Sequence, residues 1–406
     1  MSKTTCYEAV LVLGNVGPSL TVIRSLGRTG YHVVVGWEET TRLVDRSRHA
    51  DEFWAYPSPD HGERTFVRAL SKFLERRPDV AIVFPVGEKT LSCLARHARE
   101  LPVGPRVAMP EARALLTCLD KSAACEMALK LGIPVPRYRR AHNLEEVHIA
   151  AEEIGYPCVV KPLNSFRPFF GRKAILCRSS HALRQQLSAW PAGNDCLIVQ
   201  EYMRGYRHNC HFAAMDGMML AYFEHRSLRT VADGMGEEVF GQSVEPSASL
   251  RHHTATLAAQ LNYSGVGCAQ FVADDDNDVC GFMEINPRLD GCCALPYHCG
   301  YDFPRLAVEC ATWLTAPVLD VPATYAAGQS IHWGSGDIQA LGAALRRREV
   351  GLGGAVQWAG NIARDALRSD VDVTWSWRDP IPMLAGSAGA FSKAAKLVLS
   401  SWLGVR

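Results

Sequence analysis

The stretch Gly281-Phe282-Met283-Glu284-Ile285-Asn286-Pro287-Arg288 sets a carboxylate and an amide oxygen two residues apart, followed at once by proline and arginine. On a strand, that spacing puts Glu284 and Asn286 on one face. Both are hard oxygen donors of the kind that suits Mg²⁺. Pro287 halts the strand, and Arg288 emerges beside the metal these ligands imply. A guanidinium there could hold a phosphate or the oxygen that gains charge during a transfer. Upstream, Gln270 lies in the strand-like run Val266-Gly267-Cys268-Ala269-Gln270-Phe271-Val272. The acidic turn Asp274-Asp275-Asp276-Asn277-Asp278 lets two antiparallel strands bring Gln270 beside Glu284. Gln270, Glu284 and Asn286 then form one oxygen-rich ligand set. A solvated polar strand end is the plainer alternative, and Asn-Pro-Arg directly after the pair weighs against it.

The elements that must position this set follow from the pattern of apolar residues. Ala9–Leu13 is a short apolar run bounded by Gly14, as expected of a strand buried on both faces. The segment from Pro18 to Arg28 has helical spacing, and Tyr31–Val35 and Val80–Phe84 read as further strands. Strands alternating with helices imply a parallel sheet covered on both sides. The turn Gly14-Asn15-Val16-Gly17-Pro18 lacks the third glycine of a dinucleotide fingerprint, so it carries little information about nicotinamide binding. From Asp120-Lys121 onward the pattern changes. A helix over Ser122–Leu131 stops at Gly132-Ile133-Pro134-Val135-Pro136, and another over Leu144–Ile154 precedes the strand Cys158-Val159-Val160-Lys161-Pro162. Cys196–Tyr202 is a strand ending at Met203-Arg204-Gly205, and strands then outnumber helices, which indicates an α+β lobe on antiparallel sheet. Past about Pro317 the pattern is weak. Trp333, Trp358, Trp375 and Trp377 are expected to pack onto the body, and Ala388–Leu403 reads as an amphipathic helix that docks on the body or touches a membrane surface.

Taken in order, these segments resemble the ATP-grasp superfamily, especially its carbamoyl-phosphate-synthetase-like and amino-acid-ligase branches. The resemblance runs from about Ala9 to Ala316 and rests on Glu-x-Asn-Pro-Arg after a paired strand, Asp-Lys opening a helix, Gly-Ile-Pro-Val-Pro, Tyr-Pro-x-Val-Val-Lys-Pro and a Gln-Glu-Tyr hinge. It implies α/β and α+β architecture. Residues 1–117 would be a parallel α/β pre-ATP-grasp domain and 118–316 two α+β lobes clamping ATP (118–196 and 197–316), with 317–406 a C-terminal extension. It further implies that Lys121 and Lys161 hold ATP phosphates, and that Gln200, Glu201, Tyr202 and Met203 form the linker on which adenine docks. Gln270, Glu284 and Asn286 would be the ligands of Mg²⁺, with Mn²⁺ as a substitute, and Arg288 the arginine at the transferring phosphate. Arg226 lies where the family often places an arginine near the acyl phosphate. A lysine that ends a buried strand suits the phosphate role, because the strand fixes its stem while the ammonium acts as a point charge.

Two departures from the family pattern stand out. The loop after Lys161 runs Leu163-Asn164-Ser165-Phe166-Arg167-Pro168-Phe169-Phe170-Gly171-Arg172-Lys173, with one glycine where relatives are glycine- and serine-rich. Fewer backbone N–H groups can approach phosphate past such side chains. Arg167, Arg172 and Lys173 could compensate with charge, and Phe166, Phe169, Phe170 and Arg229 are candidate contributors to a substrate pocket. The acidic residue expected at the ribose hydroxyls is missing, and His208, between Arg207 and Asn209, stands at about that position.

The implied reaction joins a carboxylate to an amine through an acyl phosphate made from ATP. A thiol or hydroxyl acceptor, or a nucleotide-binding module without turnover, are the competing readings. Bulk properties agree with an enzyme of small molecules. The 406 residues suffice for two to four lobes, and a net charge of +1 gives no sign of a nucleic-acid binder. The start of the sequence carries no signal-peptide pattern and no window reaches the length of a membrane span, so a cytoplasmic protein is expected. Related enzymes are often homodimers, which the resemblance extends to this chain. The 14 cysteines are scattered and read as reduced thiols. Cys292, Cys293, His298 and Cys299 come nearest a metal cluster, but adjacent cysteines suit one tetrahedral ion poorly.

Overall fold

A computed structural model of the protein describes residues 8–14, 17–38, 46–163, 174–232, 235–274, 280–312, 321–347 and 349–384. The loop carrying Phe166, Arg167, Phe169, Phe170, Arg172 and Lys173 lies outside the described residues, as do most of the acidic turn after Asp274 and the helix expected over 388–403. Among the described residues, no helix is long and apolar enough to cross a membrane. The chain forms two compact units, Met1–Met109 with Gly291–Arg406, and Pro110–Asp290.

The first unit begins with strands β1 (Ala9–Leu13), β2 (His32–Glu38), β3 (Glu52–Tyr56), β4 (Val80–Pro85) and β5 (Arg106–Val107). They pair in parallel in the order β3-β2-β1-β4-β5, with helices α1 (Gly17–Arg28), α2 (Glu63–Arg76) and α3 (Glu88–Arg96) in the crossovers. Every residue of β1 is buried, so both faces of this central strand are covered, as its unbroken apolar run requires.

The second unit opens with α4 (Ala112–Leu119) and α5 (Lys121–Lys130). Asp120 caps α5 by accepting from the N–H groups of Ser122 and Ala123. Strand β6 (Tyr138–Ala141), helix α6 (Leu144–Ile154), strands β7 (Cys158–Pro162) and β8 (Ile175–Cys177), helix α7 (Ser180–Gln186) and strand β9 (Leu197–Glu201) follow. Their four strands form an antiparallel sheet, β6-β9-β7-β8, with α6 on the core made by Val147, Ala151, Val160 and Leu197. Strands β10 (Tyr206–Met215), β11 (Met218–Ala232) and β12 (Met235–Ser243), helix α8 (Ala248–Gln260), and strands β13 (Gly265–Ala273) and β14 (Cys280–Asn286) complete the unit. These strands are antiparallel in the order β14-β13-β10-β11-β12. One face packs Phe212, Phe271 and Phe282 against α8 and also against Ala124, Cys125 and Ala128 of α5. Helix α5 therefore shares a core with the larger sheet, although its sequence adjoins the smaller one.

The chain then returns to the first unit through α9 (Ala294–His298), α10 (Phe303–Thr312), strand β15 (Ser330–His332), α11 (Gly334–Arg346), α12 (Leu352–Arg368) and strand β16 (Val371–Asp372). Arg24 of α1 fastens the last described segment. Its guanidinium donates to Asp379 Oδ2 at 2.9 Å and to the Thr374 carbonyl at 2.8 Å. Ser47 Oγ and the Arg48 N–H also donate to the Asp379 carboxylate. Of the four C-terminal tryptophans expected to be packed, Trp377 is 87% exposed and meets only the edge of Trp375 among the described ring contacts. Trp333, Trp358 and Trp375 are partly buried, so Trp377 alone departs from that expectation. The combination of one parallel and two antiparallel sheets agrees with the fold class expected from the sequence.

Candidate functional site

Strands β13 and β14 pair with Gln270 opposite Glu284, so both side chains leave the sheet on the same face. The register slips by one residue beyond this pair, and Phe271 faces Phe282 rather than Met283. That bulge turns Phe282 into the apolar core while Glu284 and Asn286 stay on the opposite, polar face. Lys121, at the first turn of α5, brings its Nζ to 3.6 Å from Glu284 Oε2. Lys161, on β7, is buried to 7% exposure. Burial first, and then repulsion from the Lys121 ammonium, lower its pKa to about 8, with Glu284 offsetting part of their effect. Two ammonium groups crowded in a buried place are the electrostatic complement of a polyanion. The donors Gln270, Glu284 and Asn286 are all oxygens, so they fit a hard divalent cation. Arg288 follows directly, with Nη1 donating to the Leu289 carbonyl at 2.9 Å.

The hinge residues begin at the end of β9, with Gln200 and Glu201 as its last two residues. Gln200 is 1% exposed, and its buried Oε1 has no hydrogen-bond partner. An orphaned acceptor of this kind is suited to an amino group of a bound ligand. Met203 rests against Gly281, where an added Cβ would come within 2.2 Å of Met203 Sδ. The absent side chain at position 281 is thus what admits the hinge to the start of β14. Glu201 points elsewhere: it accepts from the Arg137 N–H at 3.3 Å and from Arg137 Nε at 3.2 Å, and that bonding holds its carboxyl below the usual range. Tyr202 lies between them, beyond the end of β9.

Two residues expected at the site face the other way. His208 pairs across the sheet with Phe271 and with Arg226, while its neighbour Asn209 pairs with Gln270 and with His225. Strand alternation therefore sends His208 and Arg226 to the face opposite Gln270 and Glu284. His208 Nδ1 lies 2.7 Å from Glu224, which is fully buried and also accepts from Tyr222 OH and the Ser247 N–H. The Arg226 guanidinium lies over the Tyr206 ring, 4.9 Å from its centroid. The expectation of a ribose contact at His208 and an acyl-phosphate contact at Arg226 is corrected accordingly: Asn209 and His225 occupy the polar face.

That face carries a buried network which the sequence did not reveal. Gln270 Nε2 donates to Asn209 Oδ1 at 2.8 Å, and Asn209 Nδ2 donates to Glu238 Oε2 at 3.0 Å and Ser227 Oγ at 3.2 Å. His225 Nε2 lies 3.1 Å from Glu238 Oε1, its Nδ1 lies 3.1 Å from His211 Nε2, and Arg207 Nε donates to Ser227 Oγ. Burial opposes protonation of His225, but the Glu238 carboxylate outweighs it and the pKa rises. Burial lowers His211 to about 4. Burial alone would raise Glu238, yet His225, Arg207 and Ser227 hold it at about 2. The alternation Arg207-Asn209-His211 was visible in the sequence, but only the register tells which face it serves.

Residues 118–214, which span both lysines and the hinge, match the RimK-like ATP-grasp domain. Over that stretch the chain is similar to ATP-grasp proteins. It is 26% identical over 301 residues to the alpha subunit of the mitochondrial methylcrotonoyl-CoA carboxylase of Arabidopsis thaliana, covering 71% of this chain and 40% of that protein. The chain thus spans well under half the length of that relative. Among solved structures, the biotin carboxylase domain of the 2-oxoglutarate carboxylase of Hydrogenobacter thermophilus, a dimer in complex with MgADP, ADP and bicarbonate, superposes with a TM-score of 0.62 at 18% identity, covering 80% of this chain and 73% of that one. The L-amino acid ligase of Bacillus licheniformis gives a TM-score of 0.59 at 14% identity over 75% of this chain and 74% of that one. At these identities the superpositions speak for the fold.

Proposed function

We propose that the protein is an ATP-dependent carboxylate–amine ligase that works through an acyl phosphate and releases ADP and phosphate. The observation that carries this reading is the convergence of Gln270, Glu284 and Asn286 on one sheet face, with Lys121 Nζ 3.6 Å from Glu284. The match to an ATP-grasp domain supports it, as does the fold shared with an amino-acid ligase.

In this reading Gln200 accepts from the adenine amino group, and Met203 packs beside the base. Lys121 and Lys161 hold the phosphate chain. Gln270, Glu284 and Asn286 hold Mg²⁺, which supplies charge neutralisation on the phosphate oxygens when bound. The substrate carboxylate attacks the γ-phosphorus, the bond to the bridging oxygen breaks, and ADP leaves with that electron pair. Lys161 and Arg288 offset the negative charge that gathers during transfer, so that the protein contributes positioning and electrostatics. An amine then adds to the acyl carbon, loses a proton, and expels phosphate. No side-chain nucleophile takes part.

The test is ADP release with Mg²⁺ across a panel of amino acids, alone and in pairs. Turnover that depends on both a carboxylate and an amine is expected, and Glu284→Ala should abolish it. Undiminished turnover in that variant would remove the metal assignment, and ADP release that needs a thiol or alcohol would move the acceptor to another class.

A further inference from the structure

We propose that Asn209, itself fixed by the buried Glu238 carboxylate, sets the orientation of the Gln270 side-chain amide and thereby prepares Gln270 Oε1 as a metal ligand. The inference rests on the magnesium reading above and deepens it.

A carboxylate presents oxygen whichever way it turns, but a glutamine presents either oxygen or a cation-repelling NH₂ group. A glutamine ligand is therefore competent in only one of its two flipped states. In this protein the choice is dictated from two hydrogen bonds away in the network. Glu238 is acceptor-only when ionised, and His225 and Ser227 hold it so. The Asn209 group that faces Glu238 Oε2 at 3.0 Å must then be its NH₂, which leaves Asn209 Oδ1 turned toward Gln270. Facing that acceptor at 2.8 Å, Gln270 must in turn present Nε2, so its Oε1 is the atom that remains for a cation beside Glu284. Asn209 is 1% exposed and Glu238 7%, so water does not readily substitute for either partner. The polarity runs one way along the sheet, from a fixed charge to the metal face. Outer partners of this kind typically change metal affinity by about 10–100-fold when removed.

The experiment measures Mn²⁺ affinity by electron paramagnetic resonance, using the full chain with ADP present and without turnover. Four proteins suffice for the core comparison: wild type, Asn209→Ala, Gln270→Glu, and the double variant. Asn209→Ala is expected to weaken Mn²⁺ binding about tenfold in the Gln270 protein and to have no effect in the Gln270→Glu protein, whose carboxylate needs no orientation. Glu238→Gln, which can offer Asn209 a donor or an acceptor, should give the same background-dependent loss and covers the case in which Asn209→Ala does not fold. Equal losses in both backgrounds, or no loss with Asn209→Ala while Gln270→Ala loses Mn²⁺, would overturn the positioning role and leave the metal reading standing. Retention of Mn²⁺ by both Gln270→Ala and Glu284→Ala would overturn the metal reading and this inference with it.

Discussion

Lys161 illustrates how a single buried charge can report on a site. Its pKa, lowered to about 8 by burial and by Lys121, means that the folded protein binds fewer protons than the unfolded chain between about pH 8 and the ordinary lysine value. Fold stability from this group is therefore least below pH 8 and recovers as pH rises above it. For the proposed phosphate contact the sign is opposite, because an anion is held by the charged ammonium. Metal-free ATP affinity, followed by titration calorimetry, is expected to fall as pH rises through about 8. In Lys161→Arg, where the guanidinium stays charged, that decline should disappear. Glu238 makes a complementary case: its pKa of about 2 keeps the buried pair with His225 intact through mildly acidic conditions. The His225 pKa is raised, so the stabilisation from its protonated form is full below the ordinary histidine value and lost as pH climbs through the raised one. At this scale the sequence told much about residue type and less about direction. Gln270, Glu284, Asn286 and the two lysines could be picked out as candidates from spacing and family pattern. The one-residue displacement from His208 to Asn209 could not, because the run Met203-Arg204-Gly205 does not by itself announce where the next strand enters register.

Elements set that register through a few close approaches. Gly205, at the entry to β10, has φ +122, and an added Cβ would come within 2.2 Å of the Ala273 carbonyl oxygen. Both the backbone conformation and the space exclude a side chain. Gly205→Ala is expected to lower stability by at least about 1–3 kcal/mol, read as a shift of the urea midpoint, and to disturb the pairing of β10 with β13. The bulge beyond Gln270 acts at the other end of the same pair, and no sequence period announces it, since Phe282, Glu284 and Asn286 alternate as if on one uninterrupted face. Helix α5 was legible as a helix, yet its small buried residues, Ala124, Cys125 and Ala128, give too faint a stripe to say which sheet it joins.

In the whole molecule, the first unit is assembled from both halves of the chain, with the second unit inserted between them. Asp379 holds this arrangement at a buried point, 1% exposed, where it accepts from Arg24, Ser47 and the Arg48 N–H. Those donors keep its carboxyl below the usual range despite burial. Asp379→Ala leaves Arg24 without its counter-charge and is expected to cost about 3–5 kcal/mol, measured by denaturant unfolding. Its contribution should fade in wild type as pH falls below the ordinary carboxylate value.

Arg24 and Asp379 are separated by 355 positions in the chain. During synthesis at ordinary rates the arginine waits roughly 20 to 70 s for its counter-ion to be made. Over that interval the inserted unit can finish folding, whereas Arg24 still lacks the anion that neutralises it. The segment around Arg24 is thus completed only after the segment around Asp379 has been added.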